Sequence, residues 1–304
     1  MKLTPLQSGH LQLGFQRDWI WRGWKVRYTF AWSGQARSGE EATPLLLLHG
    51  FGSALTQWHE NILPLSQAHP VYALDLVGFG VSEKASTTYK VGLWVEQIYE
   101  FWRVFINRPI ALVGHSLGAL VALSAAVAHP EMVERLILIT LPAARQEILP
   151  GWLQPLVASV EGLFTTPLLV RPLFKLVLRP GVIRSVLRKV YINQERVTEA
   201  LIESFLQPGY DRGASRAFCR LAQARTQTDF SRATKELLQE VDVPILLLWG
   251  EQDRVIPLTW GKHIANALHS QLQLVEIPDA GHCPYDESAE RVNAEILAWL
   301  ATAV

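Results

Sequence analysis

Cysteine is scarce: the 304 residues contain two, Cys219 and Cys283. They lie far apart and show no metal-ligand spacing, which argues against a disulfide scaffold and against a zinc site. A reducing, cytoplasmic compartment is the default expectation. Charge of one sign is missing too. Lys plus Arg and Asp plus Glu both number 28, so the formal net charge at pH 7 is zero. Such a chain has no field with which to hold nucleic acid as a bulk partner. The opening MKLTPLQSGHLQLG has no apolar core long enough for a secretory leader. No internal repeat and no low-complexity segment is found.

Apolar residues are plentiful. At 49% hydrophobic content the chain can bury a large core, as one α/β domain or one domain with an insertion. Eleven tryptophans imply either ordinary aromatic packing or a pocket for something large and apolar. The run from Pro109 to Pro130 carries no charge and has the length of a membrane span. Gly114 and Gly118 flank Ser116 inside it, however, and imply a turn. A short buried strand, a tight turn and a core helix account for all three residues.

Other segments agree with that picture. WKVRYTFAW alternates, with Trp24, Val26, Tyr28, Phe30 and Trp32 on one face, which predicts a strand with one buried face. LQLGF before it is expected to be its hairpin partner. The runs at 45–48, 71–74, 110–113, 136–139 and 245–249 are apolar throughout, as in parallel strands covered on both sides. LQLVEI at 272–277 is expected at an edge. Helical spacing recurs at 93–106 and 287–301. Strand alternating with helix predicts an α/β fold: a mostly parallel eight-stranded sheet with helices on both faces.

The alternation breaks between Pro142 and about Val241. The predicted organisation is therefore a core of 1–142 and 241–304, with a helical cap at 143–240 inserted after the sixth strand. Such a cap would lie over the C-terminal strand ends, where open α/β sheets place their crevice.

The chemistry collects at those ends. Ser116 in GHSLG follows a strand and opens a helix, the context of a nucleophile elbow. A serine hydroxyl needs a base, and the base needs an orienting carboxylate. Asp253 in WGEQDRVIP and His282 in PDAGHCPYDE stand just past later strands and supply both. Glu251 and Asp242 flank the same strand as Asp253. Asp279 reads as a turn former, and Asp286 as a helix N-terminal residue. His59, His69, His129, His263 and His269 fit surface or packing roles. HGFGS after the first buried strand places the backbone N–H of Phe51 beside that of Leu117 as the expected oxyanion donors. His49 is expected to shape this loop by bonding backbone, and His115 to pack under the elbow. Asp75 and Ser82 in DLVGFGVS are expected to pin a structural turn, because the dinucleotide-binding spacing is missing. Cys283 reads as a small apolar neighbour of the base.

Taken in order, HGFGS, DLVGFGVS, GHSLG, WGEQDRVIP and AGHCPYDE resemble the α/β-hydrolase superfamily over nearly the whole chain outside the insertion. The resemblance implies a Ser116–Asp253–His282 triad and neither metal nor cofactor. A narrower likeness is carried by WIWRGWKVRYTFAW, the segment from HGFGS to VSEK, and LWVEQIYEFW. These are similar to hydrolases of the pheophytinase and chlorophyll-dephytylase group, which cleave the phytyl ester of chlorophyll-type pigments. His115 and Ala119 depart from that group, where Asn and Gly are expected.

The cap adds its own chemistry. Residues 168–191 combine dense aliphatic side chains with Arg171, Lys175, Arg179, Arg184, Arg188 and Lys189, and contain no acid. This is either an ordinary lid with snorkelling basic side chains or a lid over a long acyl or isoprenoid chain. In the second case its basic side would touch an anionic membrane, on the thylakoid side in a photosynthetic organism. The expected partner is a small lipophilic ester. A C–C bond hydrolase, a cofactor-free perhydrolase and a ligand-binding receptor on the same fold stay open. Ser116 argues against epoxide hydrolases and dehalogenases, which use Asp at that position.

Overall fold

The computed structural model describes residues 13–34, 42–148, 172, 174–267 and 272–302. Eight strands form one sheet: β1 (Phe15–Trp21), β2 (Trp24–Ala31), β3 (Leu45–Leu48), β4 (Val71–Leu74), β5 (Ile110–His115), β6 (Val133–Ile139), β7 (Ile245–Gly250) and β8 (Leu272–Ile277). Their spatial order is β1-β2-β4-β3-β5-β6-β7-β8. The first two are antiparallel, and β3 to β8 run parallel. The edge position expected for 272–277 is the one β8 occupies.

The uniformly apolar runs behave as buried parallel strands must. Alternate side chains point to opposite faces, and both faces are dry. Leu46 and Leu48 join one core cluster while Leu45 and Leu47 join the other. Ile110 and Leu112 are divided from Ala111 and Val113 in the same way. Helix α1 is Ile62–Ser66; α2 (Val91–Phe105) and α3 (Leu117–Ala128) pack together on the first face. Nearly every side chain of α3 is buried. That is why the charge-free run needs no lipid: its strand and its helix both lie inside the sandwich. Among the described residues no helix is long and apolar enough to cross a membrane.

The N-terminal hairpin corrects one expectation. The partner of β2 is Phe15–Trp21, paired from Phe15↔Phe30 to Trp21↔Trp24. Of LQLGF, only Phe15 belongs to that strand. The turn is Arg22-Gly23, with φ of 50° and 82°, a two-residue connection whose positive φ values match strand twist. Arg27 and Asp18 pair across it at 2.6 Å. β2 also has more than one buried face: Thr29 and Ala31 are buried opposite Val26 and Tyr28, since β2 continues into the sheet interior beside β4. The tryptophans serve packing. Trp21 packs tilted against Trp19 and edge-on against Trp24, and Trp19 meets Phe101 and Phe105 of α2 edge-on.

Between β6 and β7 the described residues are helical and contain no strand: α4 (Arg145–Ile148), α5 (Pro180–Val190), α6 (Glu199–Leu206), α7 (Ala214–Arg225) and α8 (Thr234–Glu240). Pro180 opens α5 at a position where its missing N–H costs nothing. Thr198 caps α6 by accepting from the Leu201 N–H. The chain closes with α9 (Leu258–Ala267), α10 (Pro284–Glu287) and α11 (Ala289–Leu300).

Candidate active site

Because β3 to β8 are parallel, the loops after Leu48, His115, Gly250 and Ile277 all emerge at one edge of the sheet. Each loop delivers one part of the site. Ser116 stands between β5 and α3 with φ 51° and ψ −113°, a conformation L-residues avoid. Its N–H donates to the Ile139 carbonyl, and its own carbonyl accepts from the Ala119 and Leu120 N–H groups. The flanking glycines are required sterically. A Cβ at Gly114 would sit 2.3 Å from the Gly118 carbonyl oxygen, and one at Gly118 would sit 2.3 Å from the Leu48 carbonyl oxygen. The elbow is thus pressed between two strands and α3.

The loop after β7 brings Asp253 to the loop after β8. Asp253 Oδ2 lies 2.9 Å from His282 Nδ1. Its other oxygen accepts from the Val255 and Ile256 N–H groups at 2.7 and 2.9 Å. With three acceptor contacts filled and its side chain fully buried, this carboxylate has one orientation. Glu251, the alternative on that strand, is exposed, and Asp279 is an exposed turn residue with φ 54°. Asp286 makes a contact that its helix position did not suggest, accepting from the Tyr191 hydroxyl at 2.7 Å.

Phe51, Ser116, Leu117 and His282 line a single cavity of about 960 Å³. Among the described residues nothing accepts from the Phe51 or Leu117 N–H. The other walls are largely apolar: Leu120, Ile183, Val186, Leu187, Val190 and Phe205 among them. The four α5 residues recur at i, i+3, i+4 and i+7, so α5 turns one face to the cavity. Trp260 is the one tryptophan of the described residues in the lining, so the tryptophan surplus does not mark the pocket.

His49 and His115 brace the site. His49 is fully buried; its Nε2 accepts the Leu76 N–H at 3.0 Å, so Nδ1 carries the proton given to the Gly50 carbonyl at 2.8 Å. Gln57 Oε1 takes the Gly50 N–H. His115 Nε2 meets the His282 carbonyl at 2.9 Å beneath the elbow. Asp75 accepts from the Leu55 and Val81 N–H groups at 2.6 Å, and its carbonyl accepts from Ser82, as a pinned turn requires. Neither cysteine is in a disulfide and both are buried, and burial pushes the Cys283 thiol pKa up. Of the outlying histidines, His129 stacks on Tyr99 and His69 bonds the Thr43 carbonyl; His269 lies outside the described residues.

Burial lowers the His49 pKa from 6.5 to about 4, and that of His115 well below its usual value. Both rings favour the neutral form in the fold. For His49 the stabilisation is complete above pH 6.5 and is lost as pH falls toward 4, and His115 acts in the same direction. For His49 that is about 3 kcal/mol. Asp75, raised by burial to about 6, acts with the opposite sign over 3.8 to 6 and offsets one histidine. The expected result is a lower urea midpoint at pH 5 than at pH 7.5. An equal or higher midpoint at pH 5 would contradict the neutral-ring assignment.

Residues 45–295 match the profile of the alpha/beta hydrolase family. The dihydrolipoyllysine-residue acetyltransferase component of the acetoin cleaving system of Pseudomonas putida is 29% identical over 263 residues, covering 86% of this chain and 64% of that one. Chloroplastic pheophytinase of Arabidopsis thaliana is 26% identical, covering 91% of this chain and 65% of that one. The chain thus spans slightly less than two thirds of both. Among solved structures, a membrane phospholipase A described as a bacterial virulence factor superposes with a TM-score of 0.74 at 26% identity, over 95% of this chain and 86% of that one.

Proposed function

Since the chain belongs to the alpha/beta hydrolase family, we propose that it hydrolyses a carboxylic ester of a bulky lipophilic substrate through an acyl-enzyme on Ser116. One observation carries this: Asp253 holds His282 Nδ1 at 2.9 Å on the wall of the cavity into which the strained Ser116 opens. His282, with Nδ1–H given to Asp253, has Nε2 available as base. It takes the Ser116 proton as the hydroxyl oxygen attacks the ester carbonyl. Asp253 stabilises the imidazolium that results. The Phe51 and Leu117 N–H groups receive the oxyanion. The tetrahedral intermediate collapses, the imidazolium protonates the departing alcohol, and water attacks the acyl-enzyme by the same route.

The substrate we favour is the phytyl ester of a chlorophyll-type pigment. The size and apolar lining of the cavity and the similarity to chloroplastic pheophytinase support that choice. Helices at 143–240 would act as the cap that supplies the apolar wall. The test is phytol release from pheophytin and chlorophyll, beside a chain-length series of p-nitrophenyl esters, with Ser116→Ala as control. Release of phytol supports the pigment ester. Cleavage of simple esters alone leaves a general lipophilic esterase. Inactivity toward both, with the purified protein folded, removes the ester reading.

A membrane surface is the partner proposed for the cap. Arg188 and Lys189 are exposed on the side of α5 away from the cavity, and Lys175 and Arg179 are exposed before it. Arg184 is paired with Glu199 at 2.6 Å, and Arg171 lies outside the described residues. The membrane phospholipase A similarity lends support. At about 1 kcal/mol per basic residue, reversing these four charges should weaken binding to phosphatidylglycerol vesicles more than 100-fold. Co-sedimentation unchanged by the reversal would end this part of the reading.

A further inference from the structure

The loop that carries His282 is bonded to the exit of cap helix α5. The His282 N–H donates to the Val190 carbonyl at 3.3 Å. Glu287, 7% exposed, spans the junction with both oxygens. Oε1 accepts the Gly281 N–H at 2.9 Å, one residue before the base. Oε2 accepts the Ile192 and Asn193 N–H groups at 2.6 and 3.0 Å, just past the end of α5. The Tyr191 hydroxyl donates to Asp286 beside it.

Packing leaves this junction no slack. A Cβ at Gly281 would sit 2.7 Å from the Val190 carbonyl oxygen, and one at Gly250 would sit 2.1 Å from the Gly281 carbonyl oxygen. The histidine loop is therefore wedged between the end of β7 and the exit of the cap. Val190 and Tyr191 also line the catalytic cavity. A substrate chain resting on the inner face of α5 would press on the residue whose carbonyl holds the His282 N–H. A buried carboxylate filling three backbone donors makes charge-assisted bonds of about twice the ordinary strength. It is costly to bury without them. In Glu287 those bonds join two segments far apart in sequence, Gly281 and Ile192–Asn193.

We propose that Glu287 is a positioning residue that ties the seat of cap helix α5 to the aim of His282, so that cap and base move as one unit. This rests on His282 being the base of the proposed ester hydrolysis. The test uses the full chain with Glu287→Gln, which puts an amide donor where one set of acceptors stood, and Glu287→Asp, which keeps the charge on a shorter stem. Amide exchange by mass spectrometry should quicken about 10-fold or more in 187–193 and 279–283 together, with 110–118 unchanged. Per titrated active site, kcat should fall about 10-fold and KM for a decanoate ester should rise in Glu287→Gln, with partial recovery in Glu287→Asp. Quickening confined to one segment, or a lower Tm with kcat, KM and exchange unchanged, would overturn the proposal. If Glu287→Gln does not fold, Glu287→Asp carries the same comparison. If the wild-type protein shows no Ser116-dependent turnover, the ester reading fails separately, and exchange still decides the tie.

Discussion

Ser116→Ala is expected to lower ester turnover about 10⁵-fold or more, leaving only what the oxyanion donors and binding supply. The reason is local. Ser116 is the residue at the elbow whose backbone is forced to φ 51°. Gly114 and Gly118 admit the tight approach, yet the residue between them carries a side chain in a region that glycine would occupy more easily. Ser116→Gly should therefore be equally inactive but more stable, by a net of about 1 kcal/mol once the added backbone entropy is counted. In a chain of this size that raises Tm by roughly 2–4 °C. Loss of activity with a gain in Tm would mark strain held for chemistry. A fall in Tm would mean that the Ser116 side chain serves the fold, and residual turnover above about 1% of wild type would mean that another nucleophile is used.

Asp253→Asn should cost about 10⁴ in kcat with little change in Tm. An amide has one acceptor atom. If its oxygen keeps the Val255 and Ile256 N–H groups, its NH2 faces His282 Nδ1 and fixes the wrong tautomer, with the proton on Nε2. If it flips, two backbone donors face an NH2 instead. Either way the ring loses its base nitrogen or the carboxylate charge that stabilises its protonated form. The pH–rate profile and kcat of this variant, measured beside Glu251→Gln, settle which carboxylate matters. A loss below tenfold for Asp253→Asn would transfer the role elsewhere.

Much of this was legible in the sequence because it is written locally. LLLL at 45–48 and VYAL at 71–74 are strands to the residue, since a short apolar run between turns has one way to be buried on both faces. The positions of Ser116, Asp253 and His282 followed from their place just past strands, and parallel strands gather their ends. His49 followed from its place after a buried strand, where backbone donors and acceptors need partners. Two kinds of feature were not legible. The first hairpin was shifted because Arg22 adopts a left-handed conformation that its residue type does not announce. Glu287 and Tyr191 were missed because their partners lie about 95 residues away and leave no spacing to read. The basic stretch at 168–191 contains no acid, yet Glu199 from the next helix pairs with Arg184.

A rapid-quench intact-mass experiment with p-nitrophenyl decanoate tests the acyl-enzyme on Ser116 directly. A burst of nitrophenolate equal to the enzyme concentration is expected. One decanoyl group per chain is expected with it, mapped to the peptide holding Ser116 and absent in Ser116→Ala and His282→Ala. Turnover that proceeds with no acyl adduct, or an adduct mapped to any other residue, would contradict an acyl-enzyme on Ser116.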